Sequence, residues 1–379
     1  MRATDIPEHF QNVCFPNGKV IGKQWRIVKP LGAGSFGAVY KVVNINTSEM
    51  AALKVEGHRE EGNAMKLEVH ALKQLSKRDK MFAKVLGSGK KEHYSYVVMT
   101  LLGENLDKLI GKQQCTVSTI IRIGINVLYV IKLIHDMGFI HRDIKRGNMA
   151  LGLDDRSRII HILDFGLARQ YVVFQKGHKP KMRRPRDIVH FRGSPRYASI
   201  NALEKGEQGR DDDLWSLLYT LTEMRGDLPW QKNRLIKTIL EAKRRTTPET
   251  LFKDCPAQFN DFYTHLMTLN YYSRPNYRLL YRLLENVRIV ENIKYTDPFD
   301  WELSNTPRTS DEKDTTEQEG TSRAAIRTNS DSRVKMSSST NVPESSGELS
   351  APAPERAAAT GNEQNPFPES LFCPNPLGF

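Results

Sequence analysis

The chain has 379 residues, a formal net charge of +12 and 39% hydrophobic residues, enough for a folded unit of about 270 residues plus an appendage. It contains no run of about eighteen apolar residues, and its N-terminus lacks a basic segment followed by an apolar core. We therefore expect neither a membrane span nor a signal peptide. The four scattered cysteines have neither metal-ligand nor disulfide spacing, which predicts a reduced, cytoplasmic protein, with the nucleus as an alternative location.

The first predicted element is a glycine-rich turn over residues 31–40, with Gly32, Gly34 and Gly37 between apolar runs. Glycines allow backbone N–H groups to approach phosphate oxygens closely. A dinucleotide-binding turn has the same spacing, but it requires a helix directly after the glycines and an acidic residue about twenty positions later. Residues 38–43 form instead a β-branched run that predicts a second strand. The context therefore favours a phosphate-binding turn between strands, with a simple glycine turn as the alternative.

The next predicted strand, residues 51–55, carries the single lysine Lys54 among apolar residues. Taken alone, Lys54 would be an ordinary strand-edge lysine. A helical pattern follows over residues 65–72 and contains Glu68. Glu60 and Glu61 precede the apolar stripe of this helix and are typical of a first helical turn.

The longest apolar tract of the chain runs from Ile120 to Ile134. It is interrupted by Arg122, Asn126, Tyr129 and Lys132, at spacings that place these side chains on one face of a helix. The pattern predicts a helix packed in the core of a folded domain, rather than a membrane-spanning segment.

The most informative stretch is His141–Asn148, followed by Asp164–Gly166. Asp143 supplies a proton acceptor, Lys145 a positive charge for the moving phosphoryl group, and Asn148 and Asp164 supply metal-facing side chains. Either motif alone would be a weak match to a loop. Both in this order, with Lys145 and Asn148 at fixed offsets, predict the chemistry of phosphoryl transfer.

These motifs resemble those of eukaryotic protein kinases. The resemblance implies an α+β, bilobal kinase fold, with a small β-rich N-lobe over residues 25–100 and a larger, mainly α-helical C-lobe from Leu106 to Leu284. It implies that Asp143, Lys145 and Asn148 are catalytic, and that ATP and Mg²⁺ bind between the lobes. An apolar spine of Leu72, His141 and Phe165, anchored on Asp213, is implied as well. The residues implied to bind ATP and its metal ion are Leu31, Gly32, Gly34, Gly37, Val39, Ala52, Lys54, Glu68, Met99, Leu102, Asn148 and Asp164.

The segment that follows Gly166 narrows the resemblance. Ser199-Ile200-Asn201 stands where most kinases have Ala-Pro-Glu, and this exchange is typical of the casein kinase 1 group, which the chain resembles over residues 25–290. Within that group it is most similar to the tau-tubulin kinase branch, through Phe191-Arg192-Gly193 and Trp25. Arg146 replaces the usual proline after the catalytic-loop lysine, and Ser194 replaces the usual threonine. A second anion-binding lysine cannot be assigned, with Lys232 as a candidate.

Residues 172–192 contain seven Lys or Arg against one Asp, and contain no Ser or Thr. The resemblance places Arg196 beside the substrate groove, and Arg183, Arg184 and Arg186 add positive charge. Such a cluster predicts protein substrates with acidic or phosphorylated segments, cytoskeletal proteins among them. A solvated basic loop is the alternative, and a nucleic-acid contact is disfavoured because neither an aromatic platform nor zinc spacing is present.

Two function classes follow from the sequence. The first is an active serine/threonine kinase, and the second is a kinase-fold scaffold that is catalytically weak and acts through a partner bound to its tail. Scaffolds of this kind generally lose the strand lysine, the catalytic aspartate or the metal-binding aspartate. Because Lys54, Asp143 and Asp164 are all present, the sequence favours the enzyme.

We predict an N-terminal extension over residues 1–24, a kinase domain over 25–291, and a transition and tail over 292–379. Residues 304–379 carry a net charge of −4, leaving +16 on residues 1–303. The tail is rich in Ser, Thr, Pro, Glu and Ala and is predicted to be disordered. Near its end, Asn365-Pro366-Phe367 resembles the peptide bound by EH domains, although a chance match of three residues is favoured.

Overall fold

A computed structural model describes residues 14–34, 37–57, 64–303 and 365–379 of the chain. Ser35 and Phe36 of the glycine-rich turn, Glu60 and Glu61, and residues 304–364 of the tail lie outside the described residues. The described part confirms the predicted two-lobed architecture, with a β-sheet lobe followed by a helical lobe.

The N-lobe is an antiparallel sheet with the order β1-β2-β3-β4-β6-β5 and one long helix, α1. Alternate residues of β3 are buried, as expected for a strand with one face on a core. The glycine-rich turn joins two paired strands, which confirms the strand predicted after the glycines. The elements are β1 (Val20–Ile21), β2 (Trp25–Gly34), β3 (Gly37–Asn44), β4 (Met50–Gly57), α1 (Ala64–Arg78), β5 (Val85–Lys90) and β6 (Tyr94–Thr100).

The C-lobe packs its helices around α3, which contacts α5 and α9. Short strand pairs carry the loops between α3 and α4. The helices are α2 (Leu106–Ile110), α3 (Val117–Asp136), α4 (Ile200–Leu203), α5 (Arg210–Arg225), α6 (Ile236–Arg245), α7 (Pro248–Leu251), α8 (Gln258–Met267), α9 (Tyr277–Val290) and α10 (Asp300–Leu303). The strands are β7 (Phe139–Ile140), β8 (Met149–Leu151), β9 (Ile160–Ile162), β10 (Arg169–Gln170), β11 (Val172–Val173) and β12 (Lys181–Met182).

Helix α3 contains the longest apolar tract and is the core helix that the sequence predicts. Within the described ranges it alone is long and apolar enough to cross a membrane, but 78% of that window is buried in the protein. Its polar side chains are also buried, because they bond to neighbouring segments. The Asn126 side chain donates to the Ile160 carbonyl at 3.0 Å and accepts from the Ile160 N–H at 2.9 Å. Arg122 donates to the Pro298 carbonyl at 2.9 Å.

Residues beyond the predicted domain end at 291 also pack on the C-lobe. Phe299 and Trp301 are buried, and their rings stack at 4.6 Å between centroids. Residues 365–379 likewise lie against the C-lobe, with Phe367 and Phe372 buried. The first segment lies in the predicted transition, whereas residues 365–379 differ from the disorder predicted for the tail, because their aromatic residues bury enough apolar surface to hold them in place.

Candidate active site

An ion-pair network links the N-lobe sheet to the start of the activation segment. Lys54 of β4 places its Nζ 2.7 Å from the Glu68 carboxylate of α1 and 2.9 Å from the Asp164 carboxylate. Burial would lower the pKa of Lys54, but the carboxylates of Glu68 and Asp164 raise it above its ordinary value. Burial would raise the pKa of Asp164, but the charge of Lys54 and its hydrogen bond lower it below the usual range. Lys54 is therefore a fixed cation and Asp164 a carboxylate at neutral pH.

The catalytic loop is anchored from below by Asp213 of α5. Its carboxylate accepts hydrogen bonds from the backbone N–H groups of His141 and Arg142, each at 2.7 Å, and lies 2.9 Å from His135 Nε2. The His141 ring packs against Phe165 at 5.0 Å between centroids. Asp213 is fully buried, so these contacts hold the loop that carries Asp143 in a fixed position.

Asp143 lies at the centre of a compact polar cluster. Its Oδ2 accepts from Lys145 Nζ at 2.8 Å and from Asn148 Nδ2 at 3.0 Å. Lys145 Nζ also donates to Ser194 Oγ at 2.9 Å. The Ser194 hydroxyl therefore contacts Lys145 and ties the activation segment to the loop that carries Asp143.

The second oxygen of Asp143, Oδ1, is buried and has no hydrogen-bond partner within the described part of the chain. A buried, unpaired carboxylate oxygen is costly unless a ligand completes it. Gly193, with φ of +115°, leaves space at this oxygen, since an added Cβ would lie 3.6 Å from it and 2.6 Å from the Arg142 carbonyl. Oδ1 can therefore accept a hydrogen bond from a ligand, which is what a group that receives the proton of a substrate hydroxyl must do.

The residues predicted to surround ATP lie mostly on neighbouring strands of the N-lobe sheet. Ala52 of β4 pairs with Met99 of β6, and Val39 of β3 pairs with Lys54. Leu31, Gly32 and Gly34 belong to β2, and Leu102 lies two residues after the end of β6. Gly37 requires glycine, because an added Cβ would lie 1.8 Å from the Val55 carbonyl oxygen.

Two side chains could hold a divalent metal ion beside nucleotide phosphates. Asn148 uses its Nδ2 to donate to Asp143, which leaves its carbonyl Oδ1 for a cation. The Asp164 carboxylate is about half exposed despite its bond to Lys54. The described residues contain no cluster of three metal-ligating His, Cys, Asp or Glu residues. This donor set suits a hard cation that takes its other ligands from phosphates and water.

Ser199-Ile200-Asn201, the segment that stands in place of Ala-Pro-Glu, is held by hydrogen bonds to Asp212 of α5. Ser199 caps α4 and donates to Asp212 Oδ1, and Asn201 Nδ2 donates to the same oxygen at 3.2 Å. The Gly209 N–H donates to Asp212 Oδ2 at 2.5 Å. Ser199 and Asn201 thus fix the end of the activation segment to the start of α5.

The basic residues predicted to contact substrate do not form one patch. Arg196 bonds to the Glu223 carboxylate at 3.0 Å, and Arg146, which follows Lys145, lies 3.3 Å from the same carboxylate. Arg183 and Arg184 line a separate cleft of about 500 Å³, together with Arg169, Lys179 and Lys181. Arg186 is not available as a free charge, because it pairs with Glu207.

Glu207, a residue that sequence reasoning missed, neutralises this part of the activation segment. Its buried carboxylate lies 2.6 Å from Arg186 Nε and 3.3 Å from Arg169 Nε. Burial would raise the pKa of Glu207, but its bond to Arg186 and the charge of Arg169 lower it below the ordinary carboxyl value. Glu207 also attracts Arg142, whose pKa burial lowers to about 10. The available sequence signal was the position of Glu207, an acidic residue between Asn201 and α5 that follows the basic stretch of residues 172–192.

The chain matches known proteins over most of its length. The protein kinase domain family matches residues 25–283. A Caenorhabditis elegans protein named as a serine/threonine-protein kinase is 45% identical over 293 residues, covering 75% of this chain and 84% of that protein. A Dictyostelium discoideum protein of similar name is 38% identical over 298 residues, covering 77% of this chain and 59% of its own. A Caenorhabditis elegans protein named inactive tau-tubulin kinase ttbk-6 is 40% identical over 225 residues, which cover 56% of this chain and 78% of that protein.

The fold and site define a phosphoryl-transfer enzyme with a nucleotide cleft between two lobes. The chain belongs to the protein kinase family and is similar to serine/threonine kinases at 38–45% identity. It is therefore an ATP-dependent protein serine/threonine kinase, which uses ATP and a divalent metal ion.

Replacing Gly193 with alanine is expected to reduce the rate of phosphoryl transfer at least tenfold while ATP binding is retained. The new methyl group would strain a backbone that has positive φ and would clash with the Arg142 carbonyl oxygen, displacing the loop that carries Asp143. Turnover and nucleotide affinity should be measured in parallel, with Gly177→Ala as control, because Gly177 also has positive φ but no heavy atom near its added Cβ. Equal losses in both variants would mean that backbone strain alone matters.

Proposed function

We propose that this kinase transfers the γ-phosphate of Mg²⁺-bound ATP to serine or threonine next to acidic or already phosphorylated residues. We place it in the casein kinase 1 group, near the tau-tubulin kinases, with cytoskeletal proteins among its substrates. The observation that carries the transfer step is the unpaired, buried Oδ1 of Asp143 beside Lys145. The relative named as a tau-tubulin kinase supports the branch and the substrate class.

Each catalytic side chain has one task in this proposal. Asp143 accepts the proton of the substrate hydroxyl, and Lys145 balances the charge that develops on the transferred phosphoryl group. Lys54 holds the nucleotide phosphates, with Glu68 fixing its position. Asn148 and Asp164 would hold Mg²⁺, which neutralises phosphate charge when it is bound.

The preference for acidic substrates rests on the cleft lined by Arg169, Lys179, Lys181, Arg183 and Arg184. No acidic side chain lines it in the described residues. Glu207 compensates part of the charge of Arg169, and the charges of Lys179, Lys181, Arg183 and Arg184 remain to attract an anion. An arginine pair with free guanidinium edges binds phosphate and carboxylate in two-point contacts. Arg196, which is paired with Glu223, contributes less free charge.

Reversing Arg183 and Arg184 to glutamate is expected to raise KM for acidic peptides about tenfold, with KM for ATP unchanged. The matched control reverses Lys253 and Lys294, two exposed lysines outside the cleft. The preference should weaken as salt rises above roughly 0.15 M, where the Debye length is about 8 Å. If the cleft variant and the control discriminate acidic from basic peptides equally, the substrate preference arises elsewhere.

A kinase-fold scaffold that acts without catalysis is the second candidate, because one relative is named inactive. The intact contacts of Lys54, Asp143 and Asp164 favour catalysis. Purified protein should label serine or threonine in an acidic peptide with Mg²⁺ and ATP, and chelation of Mg²⁺ should stop labelling. Absence of labelling at any substrate or metal concentration would favour the scaffold.

A further inference from the structure

The groove between α3 and α9 is occupied by residues of the same chain that follow the catalytic domain by more than sixty positions. Phe372 is 1% exposed, and its ring stacks on Tyr281 of α9 at 4.4 Å between centroids. Phe367 is buried against Tyr129 of α3, with centroids 5.7 Å apart. Two aromatic anchors in one apolar groove are the usual core of a peptide-binding site.

Polar contacts fix the position of this segment on α9. The Asn365 side chain donates to the Tyr281 hydroxyl at 3.1 Å and accepts from the Phe367 N–H at 2.8 Å. The Glu369 carboxylate pairs with Arg278 and, at 2.8 Å, with Arg282. These pairs are exposed, so they select the position of the peptide more than they strengthen its binding.

The end of the segment reaches the activation segment. Leu377 and Phe379 pack on an apolar cluster that includes Tyr171, Val172 and Met182. Val172 belongs to β11 and Met182 to β12, which pair with each other as a hairpin. The hairpin also carries residues that line the basic cleft.

Arg210 of α5 joins the segment to the catalytic loop. Its Nη1 donates to the Phe379 carbonyl oxygen at 2.9 Å, and its guanidinium lies over the Tyr171 ring at 5.2 Å. The Tyr171 hydroxyl donates to the His135 carbonyl at 2.8 Å, and His135 bonds Asp213. The docked segment thus lies at one end of a continuous set of contacts that ends at the anchor of the catalytic loop.

We propose that residues 365–379 form a docking segment that occupies the α3–α9 groove of its own chain and stabilises the β11–β12 hairpin of the activation segment. Among the described residues, its contacts do not involve Lys54, Asp143, Lys145 or Asp164, so the segment supports the hairpin without covering these groups. The Asn-Pro-Phe sequence therefore contributes to binding within the chain. Phe367 is buried while the segment is docked, so an EH domain could not bind it in that state.

Hydrogen–deuterium exchange on the full chain tests this proposal without depending on kinase activity. Phe367→Ser with Phe372→Ser should increase exchange about tenfold in residues 126–134, 277–285 and 171–183, and should lower Tm by several degrees. A synthetic peptide of residues 363–379, added to this variant, should restore protection. Unchanged exchange in residues 171–183 would overturn the coupling to the activation segment.

A charge exchange distinguishes docking from general misfolding. Glu369→Lys alone, and Arg278→Glu with Arg282→Glu, should each increase exchange in the groove, whereas all three substitutions together should restore part of the protection. Glu291→Lys, an exposed reversal at the opposite end of α9, is the matched control. Absence of any recovery in the combined variant would overturn the assigned position of Glu369.

Sedimentation shows whether the contact forms within one chain. The wild-type protein should be a monomer whose protection does not depend on concentration. A wild-type dimer that the Phe367 and Phe372 substitutions dissociate would overturn docking within one chain, because it would show that each segment binds a second copy.

Discussion

Replacing Asp143 with asparagine is expected to lower turnover by about 10²–10⁴-fold, because the carboxylate proposed to receive the proton of the substrate hydroxyl would be lost. Asparagine keeps the size of the side chain and can still contact Lys145 and Asn148. The loop anchored by Asp213 should therefore stay in place, and ATP affinity should stay close to that of the wild type. Turnover on a serine-containing acidic peptide and nucleotide binding by calorimetry would measure the two quantities separately.

The matched control for this substitution is Asp155→Asn, which removes an exposed aspartate of the same lobe and should leave turnover unchanged. Asp164→Ala should also abolish turnover, but with weaker binding of the metal–nucleotide complex, since Asp164 contacts Lys54 and would hold the metal ion. Full turnover in the Asp143→Asn protein would mean that proton transfer does not use this carboxylate.

The catalytic residues could be predicted from the sequence because each lies within a short motif whose spacing the chemistry fixes. Lys145 and Asn148 must follow Asp143 at set distances to reach the same phosphoryl group. Lys54 and Glu68 are further apart in sequence, but each lies in a recognisable strand or helix, and the structure brings their side chains to 2.7 Å.

Contacts between segments distant in sequence could not be predicted in this way. Glu207 has no motif of its own, and its role depends on where the activation segment folds back onto it. Gly193 was noticed only as part of a family tripeptide, whereas its positive φ beside Asp143 follows from the tertiary structure. The packing of Phe372 was not predicted because the tail as a whole has a polar composition. Burial of Phe367 and Phe372 nevertheless stabilises the position of this short segment.

Replacing Glu207 with glutamine is expected to destabilise the folded protein by about 2 kcal/mol and to lower turnover at least tenfold. Removing one partner of a buried ion pair leaves the other charges uncompensated, and the partial exposure of Arg186 reduces the cost. Arg142, Arg169 and Arg186 would then repel one another, and Arg142 belongs to the catalytic loop. Glu204→Gln removes an exposed carboxylate nearby and should change neither quantity.

The Glu207 carboxylate is also the reason why we expect activity without phosphorylation of the activation segment. In many kinases a phosphorylated loop residue compensates the catalytic-loop arginine, whereas residues 172–192 contain no Ser or Thr and Tyr171 is buried. Bacterially produced, phosphatase-treated protein should therefore be fully active. Because the pKa of Glu207 is lowered in the folded state, its contribution is present at neutral pH and is lost as pH falls below about 4.5. Complete inactivation by phosphatase, or a Glu207→Gln protein as stable and active as Glu204→Gln, would show that another group compensates these arginines.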